Sequence, residues 1–111
     1  MDIHLIDDDP MYVVLLEFHL RQLNHGKVTT FRNVDEFTRN DQPRSAAVIL
    51  VGNSMCFERD YLALNQSIPG SKIIFLTENE KVASELPNSR FKIIGKCITC
   101  AEAVKKVLSS L

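Results

Sequence analysis

The chain has 111 residues, 45% hydrophobic and 24% charged, which is the size and balance of one globular domain over 1–111 and excludes intrinsic disorder. Lys plus Arg number 13 and Asp plus Glu 14, for a net charge of −1, so there is no basic excess to hold nucleic acid or an anionic membrane. No apolar run approaches the ~18–20 residues of a membrane span. The opening Met1-Asp2-Ile3-His4 also lacks the basic and apolar regions of a signal peptide, and the odd count of 3 cysteines fits a reducing cytoplasm better than a disulfide scaffold.

In chain order, Ile3 to Ile6 is a short apolar strand that runs into Asp7-Asp8-Asp9. Pro10 suits the first turn of a helix and Asp9 its cap. Val14, Leu15, Phe18 and Leu23 recur at near-helical spacing and predict the core-facing stripe of that helix, with Asn24-His25-Gly26 as its stop. Lys27 to Phe31 is a second strand, and a helix from Val34 to Asn40 follows, capped by Asn33. The continuously apolar Ala46 to Val51 fits a strand buried on both faces of a parallel sheet. Phe57 to Gln66 reads as helix, Pro69-Gly70 as a turn and Lys72 to Leu76 as another buried strand. A short helix from Glu80 to Leu86, a strand from Phe91 to Ile94 and a helix from Thr99 to Leu108 complete the pattern, with Thr99 and Glu102 at capping-box spacing.

Strict alternation of strand and helix calls for a parallel sheet covered on both faces. Ligands and chemistry in such sheets lie beyond the carboxyl ends of the strands. The residues there are Asp7-Asp8-Asp9, Arg32-Asn33, Gly52-Asn53-Ser54, Thr77-Glu78 and Gly95-Lys96.

An acidic cluster after the first strand, a hydroxyl at the end of the fourth and a lysine after the fifth resemble the receiver domain of bacterial response regulators, over the whole chain. The resemblance implies a flavodoxin-like three-layer α/β sandwich with strand order 2-1-3-4-5. It also implies roles: Asp7 and Asp8 match the acidic pair that holds Mg²⁺, Thr77 the hydroxyl and Lys96 the lysine. Departures from the pattern bear on function. With Met55 fixing the register, the place of the phosphoryl-accepting aspartate is Gly52. Cys97 stands where proline is usual, and Ile93 where an aromatic ring is expected. Aspartyl phosphorylation needs a carboxylate nucleophile, a divalent ion and a cation for the phosphoryl oxygens. Gly52 removes the first and one metal ligand, so the expectation is a degenerate pocket of Asp7, Asp8, Gly52, Thr77 and Lys96 with at most weak Mg²⁺ binding and no other cofactor. On that footing, Gly52→Asp is expected to restore a three-carboxylate site.

The reading is therefore a non-enzymatic, phosphorylation-independent pseudo-receiver in the cytoplasm that binds a kinase, phosphotransfer or output protein, or a second copy of itself. The family's partner face, from the fourth helix, fifth strand and fifth helix, maps here onto Lys81, Ser84, Glu85, Phe91, Ile93, Glu102, Lys105 and Lys106. Two rivals stand beside it. One is a working receiver with Mg²⁺ and a displaced acceptor, for which Ser54 and Asp60 are the nearby candidates. The other is a thiol redox sensor at Cys97 and Cys100, where the nearby helix N-terminus would lower a thiol pKa. A zinc site would need further ligands, and His4, His19 and His25 are scattered. For Asp7 to Asp9, Thr77 and Lys96 the plain alternatives are helix capping, a local turn bond and an ion pair. Arg59, Glu102, Lys105 and Lys106 read most simply as solvated helix faces.

Overall fold

A computed structural model of the chain describes residues 2–23, 26–39, 47–79, 90–96 and 99–110. Within these, strands β1 (Ile3–Ile6), β2 (Val28–Phe31), β3 (Val48–Gly52), β4 (Lys72–Thr77) and β5 (Lys92–Gly95) form one sheet in the order β2-β1-β3-β4-β5. Every adjacent pair is parallel. Helices α1 (Pro10–Leu23), α2 (Val34–Thr38), α3 (Phe57–Ser67) and α4 (Cys100–Ser109) cover it. This is the expected doubly wound sandwich; the segment predicted as a helix at 80–86 lies outside the described residues.

The strands are buried on both sides because helices cover both faces. One core joins Leu5, Leu50 and Leu76 to Leu16 and Leu20 of α1 and to Ala103, Val104 and Val107 of α4. On the opposite face Ile6, Val51 and Phe75 pack with Phe37 of α2, Leu64 of α3 and Phe91. Successive residues of one strand thus feed different cores, as the pleat requires. Phe91, expected on a partner face, is only 6% exposed. Its ring lies edge-on to Phe75 with centroids 5.0 Å apart.

The helix caps follow the sequence. Asp9 Oδ1 accepts from the backbone N–H groups of Met11 and Tyr12. Asn33 Oδ1 accepts from Glu36 N at 2.8 Å and Thr99 Oγ1 from Glu102 N at 3.2 Å. Each cap satisfies an open donor of a first turn.

The face of α1 is different from the expected one. Val14, Leu15 and Phe18 are exposed, whereas Leu16 and Leu20 are fully buried. Tyr12 to Leu16 is an unbroken apolar run, so a helix through it can be rotated without placing a polar residue in the core. Packing against β1 and α4 chooses the rotation. Among the described residues no helix is long and apolar enough to cross a membrane.

Candidate functional site

The carboxyl ends of β1, β3 and β5 place Asp7, Gly52 and Lys96 side by side. Asp7 follows the last residue of β1, which pairs with Val51, one residue before Gly52. Lys96 follows β5, and its backbone N–H donates to Thr77 O at 2.6 Å. The Lys96 ammonium donates to Asp7 Oδ2 at 3.0 Å, and both side chains are shielded, 6% and 0% exposed. It also donates to Asn53 Oδ1 at 3.3 Å and lies 4.1 Å from the centroid of the Tyr12 ring. Carboxylate, amide and aromatic face together compensate a cation taken out of water.

Asp7 is equally committed. Its Oδ1 accepts from Asp9 N at 3.0 Å and from Asn53 Nδ2 at 3.2 Å. Asn53 Nδ2 also donates to Asp8 Oδ1 at 3.2 Å, so one amide ties both acids and the lysine together. Asn53 holds φ 59°, the left-handed region that asparagine enters more readily than most side chains. The sequence sets Asn53 among the strand-end residues without giving it a role. Its signal was present, an asparagine directly after the strand-end glycine, where the chain must turn sharply.

Gly52 has a steric reason as well as a chemical one. A Cβ built on it would lie 2.7 Å from Asp7 Cγ and closer still to Oδ2. The Asp7 carboxylate therefore fills the volume where the resemblance places an acceptor side chain. Gly52→Asp, expected to complete a three-carboxylate site, requires Asp7 first to leave Lys96 and Asn53. Mg²⁺ also fits poorly: both Asp7 oxygens are engaged, leaving Asp8, which is exposed, as the sole remaining acid of the pair. No group of three or more metal-ligating side chains occurs among the described residues.

Thr77 Oγ1 accepts from Asn79 N at 3.1 Å, a local turn bond. Ser54 donates to Asp60 Oδ2 at 2.6 Å, and Asp60, 8% exposed, also sits 3.7 Å from Arg59 Nε. These two residues satisfy each other. They line a cleft of about 580 Å³ with Asp8, Gly52 and Asn53, and neither Asp7 nor Lys96 reaches its wall. Burial pushes the Cys100 thiol above its ordinary value, against the opposing pull of Lys96, so Cys100 lacks the lowered thiol pKa that the redox reading expects. Cys97, Lys81, Ser84 and Glu85 lie outside the described residues. Arg59, Glu102, Lys105 and Lys106 are exposed, and Ile93 is half-buried.

No family model matches the sequence, and no curated protein matches it. Solved structures do match in shape. The response regulator TrrA of Thermotoga maritima, in complex with Mg²⁺-BeF, superposes with TM-score 0.74 at 20% identity, over 99% of this chain and 98% of that one. The RcsB response regulator of Salmonella typhimurium gives 0.77 at 20% identity, over 99% of this chain and 58% of that one. A CpaE2 pilus assembly protein of Sinorhizobium meliloti gives 0.72 at 14% identity, over the full length of both. The chain has the receiver-domain fold. At these identities the likeness speaks to architecture, and what the domain does must be argued from its own side chains.

Proposed function

We propose that this chain is a pseudo-receiver of the two-component signalling type, which works by binding another protein and not by accepting a phosphoryl group. The observation that carries this is the Asp7–Gly52 contact: Gly52 offers no nucleophile, and the Asp7 carboxylate, with Lys96 bound to it, occupies the volume a side chain there would need. The lysine that would hold phosphoryl oxygens is already surrounded by Asp7, Asn53 and Tyr12. Among the described residues no group of three or more metal-ligating side chains comes together, so on this reading phosphotransfer lacks both its nucleophile and its charge neutralisation. With no covalent input, affinity for a kinase, phosphotransfer or output protein is fixed by sequence, and control falls to abundance or to a ligand that favours one conformer. The solvated Glu102, Lys105 and Lys106 of α4 remain the part of the family's partner face that this reading assigns to such binding.

Incubation with acetyl phosphate and millimolar Mg²⁺, followed by intact mass measurement, tests the reading. The expected mass is unchanged. Gain of one phosphoryl group, mapped to Ser54, Asp60 or either acid of the pair, overturns it.

A further inference from the structure

β2 is the end strand of the sheet and pairs with β1 on one side only. Lys27 O and Phe31 O accept from the backbone of Ile3 and Asp7. Alternate residues of the strand therefore face β1, and the others, Val28 and Thr30, turn their N–H and C=O groups outward. An open row of such groups is a template for another strand. The segment Val28-Thr29-Thr30-Phe31 suits pairing, because every residue is β-branched or aromatic and it holds no charge, Pro or Gly.

One of the outward carbonyls is taken by a side chain. Arg21 Nη2, from the last turn of α1, donates to Val28 O at 3.1 Å. Glu17, one turn earlier, accepts from Arg21 Nε at 2.9 Å and Nη2 at 2.8 Å and so fixes the guanidinium at the strand edge. Arg21 keeps 55% of its side chain in solvent, and an exposed i,i+4 ion pair adds little to stability. Its place counts for more. A strand adding to β2 has to displace the guanidinium from Val28 O and take a charge into the new contact.

We propose that Arg21 is an edge guard, which keeps the sheet from extending through β2 into the β2 of a second copy. An identical strand is the partner to be excluded: it is always present at the chain's own concentration, and it pairs antiparallel about a two-fold axis. Two guards must then leave for one contact to form. A bond from a charged donor is worth about tenfold or more in affinity, so the two together hold this pairing back about a hundredfold.

Sedimentation velocity of the whole chain and its variants, from low to several hundred micromolar, reads the association constant, and amide hydrogen exchange reads the edge. Arg21→Ala is expected to raise self-association about a hundredfold while thermal unfolding stays cooperative, and to slow exchange of the Thr30 N–H as concentration rises. Thr30→Pro in the Arg21→Ala chain returns association to the level of the unaltered chain. Proline removes the outward donor yet spares the ladder to β1, which the Thr30 N–H does not enter. Association unchanged by Arg21→Ala overturns the proposal. A gain that survives Thr30→Pro, or that leaves Thr30 exchange independent of concentration, overturns it as well, since the contact then lies away from β2.

Discussion

Asp7 and Gly52 exclude one another's alternatives. The Asp7 carboxyl carbon lies 2.7 Å from the point a Cβ on residue 52 would occupy, and Lys96, Asn53 and Asp9 N–H all hold that carboxylate in place. The missing side chain at residue 52 and the inward setting of Asp7 form one packing solution. Gly52→Ala is therefore expected to destabilise the chain by about 1–3 kcal/mol, the usual cost of overpacking. In an Asp7→Ala background, where only the Asp7 Cβ at 3.3 Å remains close, the same substitution should cost clearly less. Denaturant unfolding of the two singles and the double measures this, and additive losses would contradict the contact.

The Lys96–Asp7 pair is shielded from solvent, so removing one partner strands the other. Asp7→Ala and Lys96→Met should each cost about 3–5 kcal/mol. The double variant should cost clearly less than the sum, since it leaves no unpaired charge. Equilibrium unfolding of the four chains completes the cycle.

Asn53 combines a left-handed backbone with three side-chain hydrogen bonds. Asn53→Val meets both losses, because a β-branched residue is strained at φ 59°. Asn53→Gly keeps the backbone and loses only the bonds. Thermal unfolding should rank valine below glycine by about 1–3 kcal/mol, the cost of such a strained residue.

Cys56 is exposed and Cys100 half-buried with its thiol pushed up by desolvation. At neutral pH Cys100 is held as the unreactive thiol. Its alkylation by iodoacetamide should lag that of Cys56 and accelerate only as pH rises past the ordinary thiol range. Because the folded chain retains that proton longer than the unfolded one, Cys100 also lowers stability as pH climbs from its unfolded toward its folded pKa. Peptide mapping over a pH series checks the rate order.

The sheet was legible because its strands are short, apolar and regularly interrupted by cap and turn residues such as Asn33, Pro69 and Thr99. The site was legible as far as residue types at strand ends: Asp7, Gly52, Thr77 and Lys96 fall where alternation places them. Two things were not. The rotation of α1 was hidden by the apolar run from Tyr12 to Leu16, which leaves the helix phase to tertiary packing. The direction of the Asp7 side chain was hidden because it depends on contacts with Asn53 and Lys96, residues 46 and 89 positions away.

The proposed reading turns on the Asp7 carboxylate, bound by Lys96, filling the volume beside Gly52 where a side chain would stand. Its most direct test is the nitrogen–proton amide spectrum titrated with beryllofluoride and Mg²⁺, which together mimic a bound phosphoryl group and its metal. The account predicts that Asp7, Asp8, Asn53, Thr77 and Lys96 keep their positions through millimolar additions. Saturable shifts clustered on those five residues would show an open, ligand-ready pocket and contradict it.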